Sequence, residues 1–185
     1  MPAAGELIHE RWGGGADGAA VTTANSSITA VVSGTPLFET TDRPPLVAGT
    51  GWMRTSQNTL QSVRWDLTTT DTVLYWQGVL YSSAVPSTAT HSVANVQAPA
   101  SATVRAQLRR TSTGGFTITN GTSPTASSPS VAADQDVRWQ WTLNWGAGTQ
   151  TLHLFVGANL WGSTPDHTVS GLSLIHISEP TRRRG

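Results

Sequence analysis

Polar and apolar residues alternate one by one along several stretches of this chain, and no helical period persists for three turns. Residues 137–145 are the clearest case. Val137, Trp139, Trp141, Leu143 and Trp145 interleave with Arg138, Gln140, Thr142 and Asn144. A strand sends successive side chains to opposite faces, so this pattern predicts one core face and one wet face. Gly146, Ala147 and Gly148 then predict a turn, with 150–156 returning as the partner strand and Leu152, Leu154 and Val156 on one side. Upstream, residues 60–67 set Val63, Trp65 and Leu67 against Ser62, Arg64 and Asp66. Residues 73–81 are apolar on both faces, which predicts a central strand covered twice, ending before Pro86. Residues 104–110 alternate Val104, Ala106 and Leu108 with Arg105, Gln107 and Arg109. Gly114 and Gly115 turn the chain into 116–119, and Asn120-Gly121 is a strong hairpin signal. Shorter strands are expected at 7–11, 37–40 and 51–56, and the Ser- and Pro-rich stretches 82–101 and 122–134 read as surface loops. Nine or ten short strands in series argue for a two-sheet β-sandwich.

Composition narrows the chemistry. Among 185 residues there is no cysteine, which excludes disulfides and thiolate chemistry. Basic and acidic residues balance at 11 each. Without a stripe of basic side chains there is no footprint for nucleic acid. Apart from Arg182 to Arg184 near the C-terminus, the one compact basic group, Arg105, Arg109 and Arg110, reads as the solvated face of a strand. Every basic residue is arginine and none is lysine, the usage of a GC-rich genome. The longest apolar run, 73–81, is interrupted by Gln77 and Gly78, so membrane insertion is not expected. Glu6, His9, Glu10 and Arg11 break what a signal peptide would need.

Residues 172–182, LSLIHISEPTR, resemble the translation of a common transposase-based sequencing adapter, with Arg183, Arg184 and Gly185 as readthrough. The resemblance implies a non-native tail over 172–185 and a C-terminally truncated domain over 1–171. A natural strand from Leu172 to Ile177 is the alternative, and removing Glu179 and Arg182 to Arg184 leaves 8 basic against 10 acidic residues.

Three further segments, taken in order, are similar to the concanavalin A-like, laminin-G-like jelly-roll modules of bacterial surface proteins and phage tails. They are GGGADGAAVTTANSS at 13–27, TVLYWQGVLYSSAVP at 72–86 and DVRWQWTLNWGAGTQTLHLFVGANL at 136–160. The resemblance implies an all-β, two-sheet antiparallel jelly-roll sandwich over most of 13–171. It also implies a virion or extracellular cell-surface location, a glycan or cell-surface polysaccharide as partner, and further domains of a larger protein. A structural calcium ion is a further implication, for which Asp17 beside Gly18 is the candidate ligand. Since such sandwiches host lectins, glycanases, lyases and structural modules, the site has to decide.

Glycan hydrolysis needs two carboxyl groups converging on one face. Here the acids are scattered: Asp134 and Asp136 precede a strand whose polar positions are Arg138, Gln140, Thr142 and Asn144. A polysaccharide lyase could use Tyr75, Tyr81, His153, Arg138, Gln140 and Gln77, which supply the proton-moving and charge-neutralising groups. As residues of a central strand, Tyr75 and Tyr81 read instead as core. No G-x-S-x-G elbow accompanies the serines, no P-loop lysine follows Gly13 to Gly18, and His9, His91, His153, His167 and His176 lack ligand spacing. Of the eight tryptophans, Trp65, Trp76, Trp139, Trp141 and Trp145 sit at core spacing. Trp161 stands apart, in the loop GANLWGSTPDH with Asn159 and Asp166. An exposed indole can stack on a sugar ring while an amide and a carboxylate bond its hydroxyls. The expectation is a non-catalytic carbohydrate-binding or adhesive module with Trp161, Asn159 and Asp166 as ligand-binding residues. A purely structural assembly domain stands second and a polysaccharide lyase third.

Overall fold

The structure, a computed structural model, describes residues 15–39, 52–54, 62–64, 66, 71–86, 90–97, 104–120 and 124–172. Among these residues the regular elements are twelve strands, with no helix. The chain divides into two compact units, Met1–Thr70 and Asp71–Gly185.

In the first unit, β1 (Ala30–Ser33) pairs with β4 (Ser62–Arg64), and β2 (Leu37–Glu39) with β3 (Trp52–Arg54), all antiparallel. Val21, Ile28 and Phe38 form a small core, with Ala19 and Met53 packed on it. The strand expected at 7–11, and Trp65, lie outside the described residues.

The second unit holds β5 (Val73–Tyr81), β6 (His91–Gln97), β7 (Val104–Arg110), β8 (Phe116–Thr119), β9 (Pro124–Ser127), β10 (Asp136–Asn144), β11 (Thr149–Val156) and β12 (His167–Leu172). One four-stranded sheet runs β12-β11-β10-β5 and the other β6-β7-β8-β9, every pairing antiparallel. This is an all-β two-sheet sandwich. Period-two patterning builds its core: Val137, Trp139, Trp141 and Leu143 of β10, with Leu152 and Leu154 of β11, face Ala106, Leu108, Phe116 and Ile118 of the other sheet. Gln150 is also buried on this inner face. Its Nε2 donates to the Thr119 carbonyl of β8 (3.2 Å), and its Oε1 accepts the Trp141 indole N–H (3.2 Å). A buried amide satisfied at both ends crosses the two layers at little cost.

Four expectations are corrected. The stretch 82–101 contains β6, whose register shifts between Ser92 and Ala94 and between Val96 and Gln97. Such bulges interrupt a period of two and hide the strand from pattern reading. The stretch 122–134 contains β9, which opens on Pro124 at a sheet edge, a position where the missing N–H costs no ladder bond. Among the described residues β5 pairs with β10 alone and lies at the edge of the sheet they form. Its Tyr75 is 74% exposed rather than core. Arg110 is no solvated cation either, being 2% exposed on the inner face of β7. Its Nη2 donates to the Val131 and Ala132 carbonyls (3.0 Å each), its guanidinium lies 5.7 Å from the Phe116 ring centroid, and burial lowers its pKa.

Candidate functional site

The loop between β11 and β12 is held from within. At its base the Gly157 N–H donates to the Asp136 carbonyl (2.8 Å), with Gly157 at a φ of 61° that favours glycine. The Arg138 guanidinium donates through Nη1 to the carbonyls of Gly157 (2.7 Å) and Asn159 (3.2 Å), which draws it off the wet face and leaves it 7% exposed. Asn159 Nδ2 spans the loop, reaching the Thr164 carbonyl (3.0 Å) and Asp166 Oδ2 (2.9 Å). The same Oδ2 accepts the Val156 N–H at 2.7 Å. These bonds, Val156 first and Asn159 second, hold the Asp166 carboxyl below the ordinary aspartate range.

Above this base the tip is a reverse turn. The Ser163 N–H donates to the Leu160 carbonyl (3.2 Å), and Gly162 takes the positive φ (88°) that the third turn position requires. Leu160 and Trp161 project from it, 60% and 41% exposed. Beside the loop base lies an open depression of ≈ 320 Å³, with Ser130, Gln135, Asp166 and His167 supplying polar groups and Val131 and Val156 apolar ones.

Thus the structure brings Asn159, Trp161 and Asp166 into one loop and gives them different tasks. Asn159 and Asp166 shape the loop, and Trp161 is presented by it. Ser130, Gln135 and His167 were not legible as neighbours, since only tertiary folding brings 130–135 beside 166–167. One signal was available in sequence, the pair Gly157 and Gly162 framing a short apolar segment.

Asp166 should act as the loop's acid-sensitive brace. Its pKa is lowered on folding, so the carboxylate stabilises the loop fully above the unfolded aspartate value of about 4 and ceases to do so as pH falls through the lower folded value. Asp166→Ala should remove this dependence. Val156 amide exchange, corrected for intrinsic rate, checks it: equal protection in both proteins at neutral pH would refute the brace.

The residues considered for a lyase also converge. Tyr75, Gln77 and Tyr81 of β5, Arg138 and Gln140 of β10 and His153 of β11 all point to the outer face of the β12-β11-β10-β5 sheet, opposite Trp139 and Trp141. Arg138 is engaged as described, and the Tyr81 hydroxyl donates to Asp134 Oδ1 (2.8 Å). Asp17 and Gly18 are the central residues of a turn closed by the Ala19 N–H on the Ala16 carbonyl (3.0 Å), with Gly18 at φ 72°. Among the described residues no three His, Cys, Asp or Glu side chains converge as metal ligands. No helix of the described residues is long and apolar enough to cross a membrane. Comparison with protein-family models, with curated proteins and with solved structures found no significant match to this chain.

Proposed function

We propose that this chain is a non-catalytic glycan-binding or adhesive module on a jelly-roll-type sandwich, serving a phage tail or bacterial surface protein and binding through the β11–β12 loop. The observation that carries the reading is Trp161, an indole 41% exposed at the tip of a loop that Arg138, Asn159 and Asp166 hold in one shape. An aromatic ring on a fixed base loses little freedom on contact, so stacking on a sugar ring keeps most of its gain. The adjoining depression offers the Gln135 amide and the His167 imidazole for sugar hydroxyls.

A glycan array with wild type and Trp161→Ala tests this. Wild type should bind a defined set of glycans, and the variant should lose at least about tenfold in affinity, the loss of roughly 1.4 kcal/mol or more expected of an anchoring aromatic. Its thermal midpoint should stay unchanged. No binding by wild type would leave the second reading, a structural assembly domain, which Leu160 favours because an apolar tip 60% exposed also suits a neighbouring subunit. A lyase draws less support, as the one arginine on the outer face, Arg138, is committed to the loop carbonyls.

A further inference from the structure

We propose a second binding surface: two rows of the outer face of the β12-β11-β10-β5 sheet as a platform for an uncharged polysaccharide chain, separate from the Trp161 tip. It shares with the preceding section the premise that the module binds glycans, but it rests on other residues. Strand register carries it. The pairings Thr168 with His153, His153 with Gln140 and Gln140 with Gln77 set four polar side chains in one row across four strands. The next row in the same direction is Ser170, Thr151, Thr142 and Tyr75. Neighbours within a row are spaced by the interstrand distance of about 4.8 Å, so each row offers a regular ladder of groups across the sheet.

The chemistry of these two rows selects the ligand. Two amides, one imidazole and four aliphatic hydroxyls donate and accept hydrogen bonds without bearing a fixed charge. Neither row contains a carboxylate or a guanidinium, and Arg138, in the row on the other side of Gln140, is turned to the loop carbonyls. An acidic polysaccharide or a nucleic acid would find no cation here, and a protein partner would find little apolar surface to bury. A chain dense in hydroxyls and free of charge matches the face on both counts. Tyr75 completes it. Its ring is 74% exposed on a paired strand, with its backbone fixed opposite Thr142, so it presents a stacking surface at the end of the row. The His153 imidazole is oriented by Thr168, with Nδ1 and Oγ1 3.1 Å apart.

Native affinity electrophoresis of the full chain tests this, using gels containing hydroxyethylcellulose, mixed-linkage β-glucan, galactomannan or dextran in one arm and alginate or polygalacturonate in the other. At least one neutral polysaccharide should retard the wild type, and Tyr75→Ala and Gln140→Ala should each weaken that retardation at least about tenfold at unchanged thermal midpoint. Retardation by no neutral polysaccharide, by the acidic ones alone, or undiminished in both variants would overturn the platform. Trp161→Ala reads the tip independently: retardation lost in it but kept in Tyr75→Ala and Gln140→Ala overturns the platform while leaving the tip reading in force.

Discussion

Trp141→Ala is expected to lower the unfolding free energy by about 3–5 kcal/mol, the cost of removing a fully enclosed large aromatic side chain. Trp141 is 1% exposed at the middle of β10, flanked by β11 and β5. Its ring stacks against Trp76 with centroids 6.1 Å apart, and its indole N–H goes to Gln150 Oε1. Two penalties therefore combine. The lost ring leaves a cavity between two sheets that are each tied by ladder hydrogen bonds, and the Gln150 oxygen loses its donor in a site closed to water. Trp141→Phe, which refills most of the volume without the N–H, separates the two, and urea unfolding measures both. A loss below about 1 kcal/mol for alanine would mean that the layers close over the gap and that this residue does not anchor the core.

Gly78→Val should cost about 1–3 kcal/mol for the opposite reason, overpacking. Gly78 lies opposite Trp139 in the β5–β10 ladder, and the indole lies over it. A Cβ at residue 78 would stand 2.6 Å from Trp139 Cε2 and closer still to Cζ2. Trp139 has little room to yield, being 5% exposed with Trp76 set edge-on at 5.7 Å. Glycine inside a strand is otherwise unfavourable, and this close approach is what calls for it here. Combining Gly78→Val with Trp139→Leu should recover part of the loss, and a double-mutant cycle in urea reads that coupling. Strict additivity would show that the clash is relieved elsewhere.

How far the sequence could be read follows from the same physics. Strands β5, β7 and β8 fall where alternation and turn residues predict them, and β10 and β11 within one residue, since a period of two survives wherever a ladder is regular. Strands β6 and β9 were hidden by bulges, small side chains and an initial proline. Tyr75 was misread because an apolar pattern on both faces does not distinguish a central strand from an edge strand. Arg110 was misread because its Nη2 turns inward to the Val131 and Ala132 carbonyls about twenty residues away, and Arg138, on the face expected, is drawn to the carbonyls of Gly157 and Asn159 at a similar separation. Of the candidate site, the loop and its members were legible from composition alone. The division between Asn159 and Asp166 as braces and Trp161 as the presented group required the hydrogen bonds.

That division frees three positions to vary, with Gly162 kept for its positive φ. Every side chain and carbonyl that ties the β11–β12 loop lies outside Trp161, Gly162 and their two flanking residues, save the single turn bond from Ser163 to Leu160. Exchanging these side chains therefore changes the surface the tip presents without disturbing the frame that holds it out. A library randomised over 160, 161 and 163 with Gly162 retained should fold as the parent does, and selecting it for binding would use the loop as a display frame.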